Sequence, residues 1–393
     1  MKNFKYTPAL FVLVLLGLIG CSDVGFKSLP TKTCENFNAT DRSCIPGQTT
    51  NTYNYSFRTG DVDILIVNDN SGSMFPEQAK MGTQFPNFLY SIRNLYYQIA
   101  MVTTDITSAE SGANRPANGN GAFRDGKFLD FSSGEFVLKP SATNTTSVLQ
   151  AKFNDTIQRD ETYACGSTGS FENASCPSGD ERGVYAMTLA AERNEQSFFR
   201  PGAHLAVIIL SDEDERSSSA AYGPGGTRPL QAKDLPETFL QTMLTKYPSK
   251  TVSVHSVIIR PGDSSCLQKQ VHNVPGSVAP LRGFEGKIYA ELSAPATYNP
   301  NLLSFSNLTG GVLGDICADN YGTQLGDIGS FVSSEARTNE LQLPCRPTAN
   351  DVSITASNGS QLTYTIDSNN RMIFTSLPVG VTVNVSVACP SNI

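Results

Sequence analysis

The stretch of sequence that decides the fold is residues 62–74, which read VDILIVNDNSGSM. Its first six residues are strongly apolar and rich in β-branched side chains, which is typical of a strand buried on both faces of a sheet. Small and polar residues follow at once, and beyond Pro76 the apolar residues Phe85, Phe88 and Leu89 recur at near-helical spacing. The stretch therefore predicts a buried strand, a polar turn and a helix.

The same alternation continues along the chain. Further buried strands are predicted at 98–104, 204–210 and 252–259, and further helices at 182–195, 235–247 and 322–337. Strands that alternate with helices form βαβ units and a mainly parallel sheet with helices on both faces. We therefore predict a doubly wound α/β domain at 61–336, with the strand at 62–68 inside the sheet and not at its edge.

Two regions depart from this pattern. Residues from about 106 to 165 are rich in Gly, Asn, Ser and Thr, which predicts a loop-rich insertion. After Pro344, short segments alternate at period two and are separated by turn residues; they lie at 352–354, 362–366, 372–374 and 381–387. This alternation predicts a small C-terminal antiparallel β module at 345–393.

Composition limits the classes of function. Across 393 residues the formal net charge is −7 and the pI is about 5.1, which argues against binding to the phosphate backbone of nucleic acids. The chain has three histidines and neither a CxxC nor an HExxH motif. These counts argue against a zinc ribbon and against a metal site made of several histidines.

The chain begins with the segment MKNFKYTPALFVLVLLGLIGC. Lys2 and Lys5 precede an apolar run at 9–19 that is too short to span a bilayer comfortably. The end of the segment, Leu-Ile-Gly-Cys at 18–21, resembles the bacterial lipoprotein lipobox. The alternatives are an ordinary cleaved signal and a single anchor helix.

The lipobox resemblance implies a signal peptide at 1–20 and a lipid chain on Cys21, which becomes the first residue of the mature protein. Acylation of this kind anchors a protein firmly to a membrane. Ser22 follows the cysteine, which implies the outer membrane of the cell envelope. The polar residues 21–60 are then expected to form a tether.

Without Cys21 the chain has eight cysteines: Cys34, Cys44, Cys165, Cys176, Cys266, Cys317, Cys345 and Cys389. An even number in an oxidising envelope predicts up to four disulfides, although eight cysteines allow about 105 pairings. Their order along the chain favours the pairs 34–44, 165–176, 266–317 and 345–389. The last pair would join the ends of a β module that is too small to bury a large core.

Three side chains that carry oxygen, Asp69, Ser71 and Ser73, follow the first buried strand. In an open parallel sheet, ligands bind beyond the carboxyl ends of the strands. The predicted strand at 204–210 delivers Asp212 to the same edge. Carboxylates and hydroxyls are hard donors that suit Mg²⁺, Mn²⁺ or Ca²⁺, so these four residues predict a divalent-cation site.

The strings DILIVNDNSGSM and LAVIILSDEDE resemble the strands of the von Willebrand factor A (vWA) family that carry its metal-ion-dependent adhesion site, or MIDAS. The resemblance covers about residues 61–336 and is to bacterial lipoproteins that bear this domain. It implies a Rossmann-like doubly wound fold. It also implies that Asp69, Ser71 and Ser73 fill the DxSxS roles, that Asp212 is the distal carboxylate, and that Mg²⁺ or Ca²⁺ is bound.

One position departs from the pattern of the family. Where the family commonly has a threonine before the next core helix, this chain has Glu181. Glutamate is also an oxygen ligand, but its charge should strengthen metal binding and weaken the attraction of a ligand carboxylate. The alternative is that Glu181 is a first-turn residue favoured by the helix dipole.

The resemblance implies a binding module that is not an enzyme. In such a module a protein or surface ligand completes the coordination of the metal with an acidic group. One alternative is a hydrolase that uses the metal to activate water, although no catalytic motif supports it. The other is a structural envelope protein with a vestigial site, which the intact trio of Asp69, Ser71 and Ser73 disfavours and Glu181 favours.

Overall fold

In a computed structural model of the protein, the described residues are 50–106, 124–168, 177, 181–217, 230–272, 281–305, 307–336 and 340–390. This part of the chain forms fourteen strands and nine α-helices. The strands are β1 (Thr50–Arg58), β2 (Asp61–Asn68), β3 (Tyr96–Thr103), β4 (His204–Leu210), β5 (Val252–Ile258), β6 (Val271–His272), β7 (Leu281–Arg282), β8 (Leu308–Thr309), β9 (Leu313–Asp315), β10 (Glu340–Gln342), β11 (Val352–Ala356), β12 (Tyr364–Ile366), β13 (Arg371–Phe374) and β14 (Thr382–Pro390). The helices are α1 (Phe75–Ile92), α2 (Thr146–Ile157), α3 (Asp160–Thr168), α4 (Gly183–Arg193), α5 (Pro236–Lys246), α6 (Ser264–Lys269), α7 (Lys287–Ser293), α8 (Pro295–Tyr298) and α9 (Gly322–Glu335).

A parallel sheet forms the centre of the larger domain. Its strand order is β3-β2-β4-β5, and β5 also pairs with the short strands β8 and β9. β2 lies between β3 and β4 and pairs in parallel with both. Residues 62–68 are all buried, as expected for a strand with neighbours on both sides and helices on both faces. The predicted position of this strand inside the sheet is confirmed.

Helices cover both faces of the sheet, so the predicted doubly wound α/β fold is confirmed. Successive side chains of a strand point to opposite faces. On β2, Ile64 and Ile66 belong to the apolar core shared with α1, α2 and α9. Leu65 and Val67 belong to the second core, shared with α4, α5 and α7. The unbroken apolar run of this strand therefore supplies two cores at once.

The insertion at about 106–165 is not loop-rich throughout, and that prediction is wrong for its second half. Helices α2 and α3 occupy this region. Leu149, Phe153 and Ile157 are buried on one face of α2, because residues four apart lie on the same side of a helix. The Phe153 ring stacks on Phe85 of α1, with ring centroids 3.4 Å apart. Residues 107–123 lie outside the described part of the chain.

The C-terminal β module consists of two three-stranded sheets, with strand orders β1-β14-β11 and β10-β13-β12. They share an apolar core that includes Val383, Val385 and Phe374. The predicted tether at 21–60 is wrong for residues 50–58, because β1 pairs antiparallel with β14 along its whole length. The reason is that Tyr55 and Phe57 alternate along an otherwise polar strand and pack against this core. The vWA-like domain is thus inserted between β1 and β10.

Two of the predicted disulfides are present in the described residues. Cys266 is bonded to Cys317 and Cys345 to Cys389, with Cα–Cα distances of 5.5 and 5.9 Å. The first disulfide joins α6 to the segment after β9, and the second joins the two ends of the β module. Cys165 is also disulfide-bonded, and its pairing with Cys176 stays a prediction because position 176 lies outside the described part.

The predictions for the first forty-nine residues also fall outside the described part. They comprise the signal peptide at 1–20, the lipid chain on Cys21, the tether at 21–49 and the pair Cys34 and Cys44. Among the helices that the structure describes, none has both the length and the apolar character needed to cross a membrane.

Candidate metal centre

The DxSxS segment forms the turn between β2 and α1. The backbone N–H of Asp69 donates to the carbonyl oxygen of Leu210 at 3.0 Å, which extends the pairing of β2 with β4 by one residue. A short 3₁₀ turn at Gly72–Met74 follows, and α1 then begins with a proline in its first turn, where the missing N–H has no helical partner to lose. The local sequence therefore places this turn at the carboxyl edge of the sheet.

A continuous set of hydrogen bonds joins the residues predicted to hold the metal. Oδ1 of Asp69 accepts from the backbone N–H of Ser71 at 2.8 Å. The hydroxyl oxygens of Ser71 and Ser73 lie 3.1 Å apart, and the Ser73 hydroxyl donates to Oδ1 of Asp212 at 3.0 Å. All four side chains are buried or nearly so. The structure thus brings together four side chains that come from two neighbouring strand ends.

Glu181 lies two residues before the start of α4 and reaches the same candidate metal site. Its Oε2 accepts a hydrogen bond from the hydroxyl of Thr104, and its side chain is 1% exposed. The backbone N–H of Arg182 donates to the carbonyl oxygen of Thr104 at 3.0 Å. Since Thr104 directly follows β3, the end of a third strand holds Glu181 at the carboxyl edge.

Burial raises the pKa values of the three carboxyl groups, and repulsion raises those of Glu181 and Asp212 further. Loss of solvent is the main cause of the raised pKa of Asp69, Glu181 and Asp212. The negative charge of Asp69 raises the pKa of the other two further, and so does the charge of Glu213. Carboxylates that repel one another in a buried site are stabilised by a cation placed between them.

The donors present in this site fit a divalent cation. Oδ2 of Asp212 and Oε1 of Glu181 are buried and have no hydrogen-bond partner among the described residues. Buried polar atoms are nearly always satisfied, so a cation fits as the missing partner of these two carboxylate oxygens. The donor set is carboxylate and hydroxyl oxygen, which suits Mg²⁺ or Ca²⁺ and not a soft metal.

A second cluster of metal-binding residue types lies at the end of β9. Oxygen and sulfur atoms of Asp315, Cys266 and Cys317 lie within 4.8 Å of one another. Both sulfurs are joined in a disulfide, so neither is a thiolate that could bind a metal. These three residues lie close together because of the disulfide, and they are not a candidate metal site.

The sequence patterns did not identify the residues that hold the candidate metal-binding side chains in place. The Ser211 hydroxyl donates to Oδ2 of Asp69 at 2.6 Å, although 142 positions separate the two residues. The Gln78 amide donates to the Asp69 carbonyl oxygen at 2.8 Å. Ser211 could have been found from its position beside Asp212 at a strand end, whereas no local pattern singles out Gln78.

The insertion also supports the DxSxS turn. The Thr162 hydroxyl on α3 donates to the Asn70 carbonyl oxygen at 2.7 Å and accepts from the Gln78 amide at 3.1 Å. The Asn70 amide donates to Oε1 of Glu161 at 3.2 Å, and Arg159 donates to the same oxygen at 2.9 Å. Helix α3 therefore helps to fix the conformation of the turn.

A buried charge network lies behind Glu181 and holds the start of α4. Arg182 and Asp234 form an ion pair in which both side chains are fully buried, with two hydrogen bonds of 2.9 and 3.0 Å. Glu215 accepts from the backbone N–H of Val184 at 2.8 Å and from the Tyr289 hydroxyl at 2.9 Å. These contacts hold the backbone that directly follows Glu181.

The strand order, the helices on both faces and a DxSxS turn at the carboxyl edge together match what the vWA resemblance implies. The central domain has a vWA-type fold. The β module and the inserted helices α2 and α3 are additions to that vWA-type core.

The comparisons with known proteins concern only the fold of the backbone. No family model and no curated protein matches the chain. Similar solved structures include a vWA protein from Catenulispora acidiphila (12% identity, 88% of this chain and 67% of that one, TM-score 0.35). Others are the pilus adhesin SpaC from Lactobacillus rhamnosus GG (11% identity, TM-score 0.35) and the manganese-loaded TRAP protein of Plasmodium vivax (9% identity, TM-score 0.34).

The coverage of these structures differs. The likeness to SpaC covers 87% of this chain but only 41% of the adhesin, and the likeness to TRAP covers 87% of this chain and 98% of that chain. Identities and TM-scores this low carry no argument about function.

Proposed function

We propose that the protein is a metal-dependent binding protein of the cell envelope and not an enzyme. Its vWA-type domain would take a protein or surface ligand through a divalent cation held at the MIDAS-like site. The observation that carries this proposal is the convergence of Asp69, Ser71, Ser73 and Asp212 beside carboxylate oxygens that lack hydrogen-bond partners. The alternative is a structural envelope protein with a vestigial site.

Asp69, Ser71, Ser73, Asp212 and Glu181 would hold the cation, which we propose to be Mg²⁺ or Ca²⁺. When bound, the cation offers a coordination position to an oxygen of the ligand, and an acidic side chain of the partner is the donor we propose. The serine hydroxyls contribute neutral oxygens, and the carboxylates balance the charge of the ion.

The surrounding residues orient these donors before any ligand arrives. Ser211 fixes one oxygen of Asp69, and Thr104 fixes one oxygen of Glu181. Gln78 ties the backbone of Asp69 to α3. A donor set that is already ordered loses little conformational entropy on binding, which favours affinity.

Calorimetric titration of the chain with Mg²⁺ and with Ca²⁺ tests the metal site, and thermal unfolding provides a second measurement. An ion at about one hundred times its dissociation constant should stabilise the protein by about 2.7 kcal/mol. Asp69→Ala should abolish both signals while circular dichroism shows an unchanged fold. Asp327→Ala, an exposed change on α9, is the matched control and should behave like the wild type.

The charge of Glu181 predicts a further difference. Glu181→Thr should weaken metal affinity, because it removes one carboxylate, and should preserve or improve the binding of an acidic ligand. If neither ion binds to the wild type, or if Asp69→Ala binds as tightly as the wild type, the metal-dependent function is refuted and the vestigial alternative stands.

The envelope location rests on the lipobox resemblance at 18–21. We propose that Cys21 carries the lipid chains and that the protein is attached to the outer membrane. Cys21→Ser should shift the protein from the membrane fraction to the soluble fraction after cell fractionation, because the acylated residue is lost. An unchanged distribution would contradict the lipid anchor without bearing on the metal site.

A further inference from the structure

Two phenylalanine side chains are exposed at the edge of the metal centre. Phe75 is 41% exposed and Phe284 47%, and no other described phenylalanine is exposed as much. A phenylalanine ring has no polar atom that could bond to water, and this residue type is usually buried. Exposed apolar groups that cluster at one place on a soluble protein mark an interaction surface.

The first ring stands on the α1 side of the DxSxS turn. Phe75 begins α1, two positions after Ser73, and its ring centroid lies 4.8 Å from that of Tyr163 on α3. Tyr163 is itself 56% exposed. It directly follows Thr162, whose hydroxyl bonds to the backbone of Asn70 within the turn. The pair is therefore attached to the metal centre through both α1 and α3.

The second ring stands beside the distal carboxylate. The backbone N–H of Phe284 donates to the carbonyl oxygen of Asp212 at 2.6 Å. Gly283 permits this approach, since a Cβ there would lie 2.7 Å from the same oxygen. The guanidinium carbon of Arg216 lies 4.3 Å from the centre of the Phe284 ring, and the backbone N–H of Arg216 donates to the Glu181 carbonyl oxygen at 2.7 Å.

The chemistry of these rings fits a protein partner. Phe75 and Phe284 carry no polar side-chain atom, so apolar side chains of a protein segment would bury them without leaving a donor or acceptor unpaired. Aromatic residues are enriched in the cores of protein interfaces and often dominate the binding energy.

We propose that Phe75, Tyr163 and Phe284, which we call the aromatic rim, contact a protein partner in which apolar or aromatic side chains flank the acidic residue at the metal. This inference rests on the proposed function and names the class of its partner. The metal would bind the acidic group of the partner, and the aromatic rim would select the side chains that flank this group.

An array of short synthetic peptides tests the proposal. One set has a central Asp flanked by Leu and Phe, a second has the same Asp flanked by Gly and Ser, and a third has Asn in place of Asp. Binding of the full chain is measured in Mg²⁺ and in EDTA. The set with apolar flanks should bind about tenfold more tightly than the set with Gly and Ser flanks, a difference that corresponds to about 1.4 kcal/mol.

Variants of the rim separate this inference from the metal site. Phe75→Ala and Phe284→Ala should each lose most of the tenfold preference and keep the stabilisation by Mg²⁺. The matched control is Tyr90→Ala: Tyr90 is 67% exposed near the far end of α1, and its ring packs against Arg93 much as Phe284 packs against Arg216.

Each outcome bears on one proposal. If Mg²⁺ stabilises the protein but the peptides show no preference for apolar flanks, or if rim variants keep that preference, the aromatic-rim proposal is overturned and the metal site stands. Mg²⁺-dependent binding to an array of glycans, in preference to every peptide, also overturns it in favour of a sugar partner. Absence of any stabilisation by Mg²⁺ refutes the proposed function itself.

Discussion

Two buried histidines should lower the stability of the protein as the pH falls from about 8 to about 5, a contribution opposite in sign to that of the buried carboxyl groups. His204 and His255 lie on the neighbouring strands β4 and β5 and are 3% and 0% exposed. Burial lowers the pKa of each from 6.5 to about 3, and the proximity of His255 lowers that of His204 further. Both side chains are therefore neutral in the folded protein at every pH above about 3.

Beside burial, the hydrogen bonds of both rings suit the neutral form in the folded protein. The backbone N–H of Val312 donates to Nδ1 of His255 at 3.0 Å, so Nε2 carries the proton and donates to the Ser253 hydroxyl at 3.0 Å. That hydroxyl then donates to Nε2 of His204 at 2.8 Å, and Nδ1 of His204 donates to Thr251 at 2.8 Å. A further proton on either ring would face another donor.

The magnitude follows from the two pKa values. Below pH 6.5 each histidine of the unfolded chain binds a proton that the folded protein does not bind until about pH 3. The two histidines therefore cost no stability at pH values above 6.5, the pKa of the unfolded chain. As the pH falls below that value, the free energy of unfolding decreases by about 1.4 kcal/mol per pH unit for each histidine. At about pH 5 the loss is about 2 kcal/mol for each histidine and about 4 kcal/mol for both.

Urea unfolding in EDTA, followed by far-UV circular dichroism, measures this effect. The comparison is between the wild type, His204→Asn, His255→Asn and the double variant, since asparagine retains an amide at the position of Nδ1 and does not titrate. The carboxyl groups are common to all four chains, so their contribution cancels in the differences. The double variant should recover about 4 kcal/mol relative to the wild type between about pH 8 and about pH 5. A difference that stays constant with pH would refute the reasoning.

Three further predictions concern stability. Replacing Cys345 and Cys389 by Ser should destabilise the β module by about 4 kcal/mol, because their bond closes a long loop; urea unfolding of both chains measures this, and the control is that the difference between them should vanish in reductant, which cleaves the disulfides of both. Phe153→Ala should cost about 3 to 5 kcal/mol by opening a cavity between α2 and α1, whereas Phe153→Leu should cost less, and equal losses would contradict tight packing there. Asp234→Ala should cost about 3 to 5 kcal/mol, because it leaves Arg182 buried without its carboxylate; replacing both residues by apolar ones should restore much of the loss, and no recovery would argue against this cause.

Local patterns predicted most of the vWA-type core. The apolar run at 62–67 predicted a strand with neighbours on both sides, and the polar turn after it predicted donors at the carboxyl edge. The strands and helices of the parallel sheet follow such short-range periodicity closely, because burial on both faces leaves little room for polar side chains. The pairing of Cys266 with Cys317 and of Cys345 with Cys389 was predicted from their order alone.

The failures occur where the apolar signal is sparse. β1 reads TNTYNYSFR, and only two of its aromatic side chains face the module core, so its polar residues resemble a tether. Helix α2 lies in a stretch whose overall composition is that of a loop, and three apolar residues spaced by four carry its packing. In both cases the composition of a long stretch concealed a few apolar residues on one face. Their role becomes clear only when the element that they pack against is known.

The sequence by itself determined the class of fold, the edge of the sheet at which a site forms, and the oxygen donors available there. Only the tertiary structure decided which distant groups orient those donors: Ser211 lies 142 positions from Asp69, and Glu161 lies 91 positions from Asn70. It alone placed β1 beside β14, and Phe75 and Phe284 next to the candidate metal centre. The physical reason is that periodicity and strand ends are local properties of the chain, whereas a hydrogen bond between buried polar side chains depends on two segments that no local pattern relates.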